Sequence, residues 1–423
     1  MKSKQQAIFD KAYEKLTELY SGKYYAPDVR IISRFYEEKK ILQESEFYIG
    51  FLDCIGRLRE AAEQKGEEVT LRGTAGSSFI AYLLGATDIN PLPLFEYCPH
   101  CKRTKFLGEG NPYDRVQTVC SCGTQNIIDG YNIPFESNLK SVLSEFLQVC
   151  VSYELFEEAK KLILDENRDK SITVFQGEDI GPVRFCFDKE GEEGDIQYEV
   201  ADNAERFNGY PRITLVPYAM LDNFRELEKA TGGTREKSKS FGYDFSRAFL
   251  SYDILEALPQ FSGAFPSEIF DDVPLQSAED LLRVVGLAHS DGVWSYNAER
   301  LFYDHKILFR DIPAFREELY DMICDKLRKK GIYETGFAYE VAEKARKGYY
   351  VKNGGVDEDT LLTLSELGFD MDFIFFIEKI HYMFPKAHGV AYLKEIIRLM
   401  FYKLNFSEEY DRVMGNPALT AKK

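Results

Sequence analysis

The sequence predicts an α+β fold, in which a mixed sheet with helices is followed by a largely helical C-terminal half. Residues 6–70 place apolar side chains at three- and four-residue spacing, which is typical of amphipathic helices. Residues 171–222 instead carry short β-rich segments broken by Gly, Pro and acidic turns, such as "SITVFQG" and "RITLVPY". Helical spacing returns from residue 262. This change of period from helix to strand and back predicts the mixed class.

The size and charge of the chain narrow the classes of function. A chain of 423 residues exceeds one ordinary core, so we expect two or three domains. The formal net charge of −17 argues against a simple basic nucleic-acid binder. The N-terminus has no secretory apolar core, and the longest apolar runs are too short to span a membrane. With eight cysteines expected to be reduced, these features predict a soluble cytoplasmic protein.

The first half is predicted to run from helix to strand, loop and helix. "EEVTLRGTAGSS" predicts a short strand that ends in a glycine–serine loop, and "FIAYLLGA" predicts the next helix, with Gly85 as its stop. Residues 138–164, "NLKSVLSEFLQVCVSYELFEEAKKLIL", predict a further helical stretch.

Residues 96–130 form a cysteine-bearing insert. Cys98 and Cys101 have the two-residue gap that lets both thiolates bind one tetrahedral metal, and eighteen residues separate them from the next pair. That pair, Cys120 and Cys122, is one residue shorter than a standard knuckle, a departure for which His100 could compensate. The insert therefore predicts a structural Zn²⁺ site that stabilises the fold; the alternative is four reduced cysteines from a decayed site.

The glycine–serine loop is a candidate phosphate cradle. Its glycines would let a ligand approach the backbone, its serine N–H groups would lie at a helix N-terminus that favours an anion, and its arginine adds a donor fork. The residues concerned are Arg72, Gly73, Gly76, Ser77 and Ser78. Taken by itself, this loop is better interpreted as a structural turn.

The order of several sequence motifs along the chain changes the interpretation of this loop. "RGTAGSSFIAYLLGATDINPLP", then "CPHC…CSCG", then "GYNIPFE" resembles the polymerase core of the bacterial replicative DNA polymerase III α subunit of the PolC type. Further matching stretches follow in the same order, covering roughly residues 30–410: "RITLVPYAMLDNF", "FGYDFSRAFLSYDIL", "VVGLAHSDGVWSYNAERLF", "KARKG" and "IHYMFPKAHGVAYL". The resemblance implies an N-terminal helical and first palm-like part (1–95), a zinc-binding insert (96–130), a second palm-like part (131–261) and a helical fingers-like domain (262–423).

The resemblance also implies roles for individual residues. The five loop residues match the palm loop that holds the phosphates of the incoming nucleotide, and Asp253 in "SYDIL" matches one of three catalytic aspartates. Arg346 and Lys347 in "KARKG", with Lys386 and His388 in "FPKAHG", match fingers positions that face the nucleotide. Alternatively, the first two could be a solvated helix end and His388 a hydrogen-bonded core histidine.

The expected metal-binding carboxylates are largely missing. In the family, two aspartates one residue apart follow the stretch equivalent to "NIPFE", whereas here only Glu136 and Glu145 lie nearby. A two-metal Mg²⁺ centre would therefore keep, at best, Asp253. "FDMDF" does not replace the pair, because Asp370 and Asp372 are predicted to be a helix N-cap and a first-turn acid.

The leading hypothesis is a degenerate PolC-like core, a pseudo-enzyme that binds a nucleotide (dNTP), DNA or a replication protein. A second hypothesis is an active small DNA polymerase that uses Glu136, Asp179 and Asp244 beside Asp253. A third is an inhibitor or mimic that acts on the replisome, a role that the acidic charge suits better than duplex binding.

Overall fold

A mixed six-stranded sheet forms the centre of the N-terminal half. The computed structural model describes residues 2–45, 47–135, 146–177, 181–188, 192, 194–200, 210–241, 258–261, 269–270, 273 and 275–415. Within these residues the strand order is β1-β5-β9-β7-β6-β8. The strands are β1 (Val69–Arg72), β5 (Phe146–Val151), β6 (Ser171–Gln176), β7 (Val183–Asp188), β8 (Ile196–Val200) and β9 (Arg212–Pro217). The β-rich texture predicted for residues 171–222 is confirmed for the described residues as far as Pro217, whereas Ala219 already begins a helix.

One predicted helix was wrong in part. "FLQVCV" in the stretch 138–164 is strand β5, and only Phe156–Glu166 is helical among the described residues of that region. Strand β5 lies between β1, to which it is antiparallel, and β9, to which it is parallel. The side chains of Leu147, Val149 and Val151, at every second position, point into the apolar core. Packing in this core therefore determines that the segment is a strand and not a helix.

The sheet has an apolar face and a polar face. Cross-strand partners share a face, so the neighbours Leu71, Val149 and Leu215 all point into the apolar core. The opposite face, here called the polar face, carries the row formed by Arg72, Gln148 and Thr214. The polar face is covered in part, because the Arg72 side chain is only 3% exposed.

N-terminal helices cover the apolar face. Helix α2 begins after Asp28, whose side chain accepts a hydrogen bond from the Arg30 N–H and so caps the helix. Apolar residues of α1 to α3 form one continuous core with the sheet. The helices of this half are α1 (Lys2–Tyr20), α2 (Val29–Leu42), α3 (Tyr48–Gln64), α4 (Phe79–Leu83), α5 (Phe156–Glu166), α6 (Ala219–Ala230) and α7 (Arg235–Lys239).

The C-terminal half is helical, as the sequence predicted, and the α+β class is confirmed. Its core surrounds a long helix, α15 (Lys386–Asn405), which also packs on the loop that follows β1. The other helices are α8 (Ala278–Ala288), α9 (Glu299–Tyr303), α10 (Arg316–Lys329), α11 (Gly336–Arg346), α12 (Tyr349–Lys352), α13 (Glu358–Glu366), α14 (Met371–Glu378) and α16 (Ser407–Met414). Because α15 contacts both β1 and α8, it joins the two halves.

A separate three-stranded sheet carries the cysteines. Its strands are β2 (Phe95–Tyr97), β3 (Thr104–Phe106) and β4 (Ile127–Asp129), in the antiparallel order β3-β2-β4. None of the helices in the described ranges combines the length and apolar character that crossing a bilayer requires.

Candidate functional site

The glycine–serine loop links the sheet to the C-terminal helices. Gly73 begins a 3₁₀ turn with φ +78°, and Ser78 caps α4 by accepting a hydrogen bond from the Ala81 N–H at 3.1 Å. A Cβ atom on Gly76 would lie 3.2 Å from Cβ of Ala387, so glycine lets α15 pack closely against the loop. The structure therefore brings the loop next to "FPKAHG", as the resemblance implies.

A buried carboxylate fills the helix end behind this loop. Glu38 of α2 is fully buried and accepts hydrogen bonds from the N–H groups of Phe79 and Ile80, at 2.8 and 3.0 Å, and from the Ser78 hydroxyl at 2.8 Å. Arg34 pairs with the same carboxylate and donates to the Ser77 carbonyl oxygen. The amides that would attract a phosphate at this helix end are thus bound to an anion of the protein itself.

Arg72 at the end of β1 is paired as well. Its side chain is 3% exposed and forms an ion pair with Glu395 of α15. The guanidinium carbon lies 4.6 and 4.5 Å from the ring centroids of Tyr218 and Tyr392, and the Tyr218 hydroxyl donates to Glu395 at 2.9 Å. Burial is the largest influence and opposes the charge, but Glu395 together with Tyr218, Cys150 and Tyr392 raises the pKa of Arg72. Within the described residues, Nη1 of Arg72 is buried without a hydrogen-bond partner.

Lys386 and His388 begin α15 beside the loop. The Lys386 side chain is nearly buried, and its ammonium lies 3.7 Å from the Glu318 carboxylate. The His388 ring stacks between Phe384 and Tyr392, with centroid distances of 4.8 and 4.9 Å. Burial, followed by the nearby positive charge of Arg72, lowers the pKa of His388 to about 3. His388 is therefore a neutral, stacked imidazole at physiological pH.

Arg346 and Lys347 share one carboxylate at the end of α11. Arg346 donates two hydrogen bonds to Glu343, at 2.7 and 2.6 Å, and the Lys347 ammonium lies 2.8 Å from the same side chain. Burial opposes ionisation, but these hydrogen bonds lower the pKa of Glu343 to about 2. The Met383 N–H donates to the Arg346 carbonyl oxygen at 3.4 Å, which places this helix end against the segment before Lys386.

Three strands of the polar face, β1, β5 and β9, lack the side chains that a two-metal centre needs. β1, β5 and β9 read "VTLR", "FLQVCV" and "RITLVP", without an aspartate or a glutamate. Strand β5 is the first described strand after "NIPFE", where the family places its aspartate pair, and it presents Gln148 on the polar face instead. The described residues of these three strands therefore do not fit Mg²⁺, which binds through carboxylates.

The remaining carboxylate candidates fall into two groups. Asp253 lies outside the described residues, as do the four other acids considered beside it: Glu136, Glu145, Asp179 and Asp244. Asp370 accepts a hydrogen bond from the Phe373 N–H at 2.9 Å, and Asp372 pairs with Lys306 at 2.8 Å. The prediction that these two are a helix cap and a first-turn acid is confirmed.

The four insert cysteines converge. Their sulfur atoms all lie within 4.8 Å of one another, with 3.5 Å separating Cys98 from Cys122 and Cys101 from Cys120. The shorter pair reaches the cluster because Gly123, with φ +85°, turns the chain back after Cys122. His100 is exposed and is not among the converging ligands. Four thiolates so placed fit a closed, structural Zn²⁺ site.

Sequence reasoning missed the carboxylates that fill the loop. Glu38 lies 40 residues before Ser78, and Glu395 lies 323 residues after Arg72. The only local signal is the spacing of Arg34 and Glu38, which places them on one helix face.

Comparisons with known proteins agree with the order of motifs. A family model described as the bacterial DNA polymerase III alpha NTPase domain matches residues 6–144. The PolC-type DNA polymerase III of Ureaplasma parvum is 26% identical over 438 residues, covering 84% of this chain and 29% of the relative. That of Listeria monocytogenes is 23% identical, covering 93% of this chain and 32% of the relative. For Staphylococcus saprophyticus the identity is 23%, with 97% and 33% covered.

The matches extend over most of this chain but over a limited part of the relatives. The chain spans 29–33% of the length of these three PolC-type polymerases. Because these matches cover 84–97% of this chain, they confirm the resemblance: along most of its length, this chain is PolC-like, similar to part of a PolC-type DNA polymerase III.

Proposed function

We propose that this PolC-like chain binds nucleic acid and does not catalyse DNA synthesis. The observation that carries the proposal is the lack of any carboxylate on the strands β1, β5 and β9. Phosphoryl transfer onto a primer needs metal ions that both activate the attacking hydroxyl and neutralise the triphosphate. Asp253 alone would supply too few ligands for two ions.

The polar face supports binding of a phosphate backbone. Arg184 of β7 is exposed on this face, opposite the hydroxyl-bearing Thr214 of β9. Arginine and hydroxyl side chains are common donors to phosphate oxygens, and such contacts position a nucleic acid without reading its sequence. Because the whole chain carries a net charge of −17, DNA would bind only where such cations are concentrated.

The second part of the proposal is a nucleotide subsite at the glycine–serine loop, where we expect weaker binding. Arg72, Gly73, Gly76, Ser77 and Ser78, with the cationic positions Arg346, Lys347 and Lys386 and the imidazole of His388, would surround the phosphates of a dNTP. Glu395 and Glu38 already neutralise Arg72 and the α4 amides, and Glu343 and Glu318 neutralise the fingers-like cations. We therefore expect weak dNTP binding, with Mg²⁺ adding little.

The cysteine insert and the predicted domains have structural roles in this proposal. Cys98, Cys101, Cys120 and Cys122 would hold Zn²⁺, which supplies cross-links and no chemistry. The two palm-like parts (1–95 and 131–261), the insert (96–130) and the fingers-like part (262–423) would form one DNA-binding unit in the cytoplasm.

Two measurements on the full chain test this function. We expect no primer extension with Mg²⁺ or Mn²⁺. We also expect salt-dependent binding of a primer–template duplex, measured by fluorescence anisotropy. Extension that is abolished by Asp253→Ala would establish the rival hypothesis, an active polymerase with ligands from elsewhere in the chain.

Matched arginine variants locate the DNA. Arg184→Ala should weaken duplex binding and reduce the slope of log affinity against log salt by about one, because one phosphate contact is lost. Arg168→Ala, which removes an exposed arginine in the turn after α5, should bind like the wild type. Equal affinities of both variants, or binding that does not depend on salt, would contradict a phosphate contact at the polar face.

A further inference from the structure

A cavity in the C-terminal half lies apart from the loop and the polar face. Its volume is about 640 Å³, and it opens between residues 290–296, the end of α12 and the segment after α14. The side chains that matter for its chemistry are Asp291, Trp294, Tyr296, Lys379 and His381.

Tyr296 is held beside the cavity in a strained conformation. Its φ of +56° is in the left-handed region, which a bulky residue rarely adopts. The backbone is fixed from both sides: its N–H donates to Glu299 at 2.8 Å, and its carbonyl oxygen accepts from the Lys379 ammonium at 3.0 Å. The ring is nevertheless 86% exposed, so no packing of the side chain explains the strain. Such outliers are concentrated at binding sites, where surrounding contacts hold them.

The cavity combines an aromatic surface with hydrogen-bond acceptors. Trp294 lines it from the core and is 2% exposed. The side chains of Asp291 and His381 have no hydrogen-bond or ion-pair partner within the described part of the chain. Glu378 is a second lining carboxylate, and it accepts a hydrogen bond from the Val356 N–H at 2.9 Å. Two carboxylates repel phosphate but accept hydrogen bonds from amino groups, and exposed tyrosines stack on flat rings.

We propose that this cavity binds one unpaired nucleobase of single-stranded DNA, with Tyr296 stacking on the base and Asp291 accepting a hydrogen bond from its exocyclic amino group. The phosphates stay outside the cavity, on the side of Lys379. This proposal rests on the proposed function, because it assumes that the chain binds nucleic acid. It adds a base-specific contact at a second site, with a preference for cytosine over thymine, which has no amino group.

The single tryptophan provides a direct measurement. Trp294 is the only tryptophan in the chain, so its fluorescence reports occupation of the cavity. We expect 12-residue oligo(dC) to change this fluorescence and to bind more tightly than oligo(dT). Tyr296→Gly removes the ring while keeping a residue that favours positive φ, and it should weaken oligo(dC) binding by about tenfold. Asp291→Asn should abolish the preference for oligo(dC).

A control variant, Tyr333→Ala, and a second ligand, the primer–template duplex, separate the base site from the proposed function. Tyr333→Ala removes an equally prominent tyrosine, 78% exposed and outside the cavity, and should bind oligo(dC) like the wild type. If oligo(dC) leaves Trp294 fluorescence unchanged, or if Tyr296→Gly binds it normally, the cavity is not a base site. If duplex binding still depends on Arg184, the proposed function would remain supported. An oligo(dC) signal without duplex binding would contradict the phosphate contact proposed at the polar face and retain the base site.

Discussion

Arg72 of β1 and Glu395 of α15 form a buried ion pair that joins the sheet to the C-terminal helices, although 323 residues separate them in the sequence. The two tyrosines that flank the guanidinium, one on each side of the sheet–helix junction, exclude water from the pair. The pair therefore contributes to the way the two halves are held together and leaves Arg72 little freedom to bind a ligand.

Removing one partner of this pair should destabilise the protein. Arg72→Ala leaves the Glu395 charge uncompensated in a buried position, and we expect the free energy of unfolding to fall by about 3 kcal/mol. Chemical denaturation measures this change. Lys15→Ala, which breaks the exposed pair with Glu18, should cost less than about 0.5 kcal/mol. A similar decrease in the free energy of unfolding in both variants would show that the Arg72–Glu395 pair does not stabilise the contact between the two halves.

Glu38 should be as important to stability as a core residue. Its carboxylate satisfies two backbone N–H groups and a hydroxyl at full burial, so Glu38→Ala leaves several buried donors without an acceptor. We expect a loss of about 3 kcal/mol or more in thermal or chemical unfolding. Lys40→Ala, at an exposed position of the same helix, should change stability by only about 0.5 kcal/mol. Equal effects at the two positions would contradict the capping role.

Zinc content should depend on the four cysteines and not on His100. Purified protein should contain one Zn²⁺ per chain by elemental analysis, and Cys98→Ser should lower both the zinc content and the melting temperature, because the metal stabilises the insert. His100→Ala should retain zinc, since its side chain lies outside the cysteine cluster. Loss of zinc from the histidine variant would instead mean that the Cys-Ser-Cys pair supplies only one ligand.

Asp321 of α10 should make stability depend on pH. Burial raises the pKa of Asp321 to about 7, although nearby Lys386 lowers it. An unfolded aspartate titrates near 3.9, so the folded protein binds an extra proton between about pH 4 and pH 7. The free energy of unfolding should therefore decline as pH rises through this window. Asp321→Asn should remove this component of the slope, whereas Asp325→Asn, exposed on the same helix, should keep it. A wild-type slope in the Asp321 variant would contradict the burial effect.

The sequence predicted local structure better than long-range pairing. Gly85, the Asp370 cap and each of the two cysteine pairs were recognisable because each signal is contained within a few neighbouring residues. "FLQVCV" was misassigned because a short apolar run fits a buried strand as well as a helix, and only its position between β1 and β9 decides between them. The partners of Arg72 and Ser78 lay beyond sequence reasoning, since charged side chains are normally expected in solvent and not in the core.

In the nucleotide subsite that we propose at the glycine–serine loop, the carboxylates of Glu38 and Glu395 would compete with the phosphates of a ligand. A tethered group competes as though it were dissolved at a concentration on the order of millimolar or higher. In the proposed nucleotide subsite, a triphosphate would reach Arg72 only in exchange for Glu395. Occupation of the loop by phosphate would therefore cost the ion pair that joins β1 to α15, so ligand binding and the contact between the two halves would oppose each other.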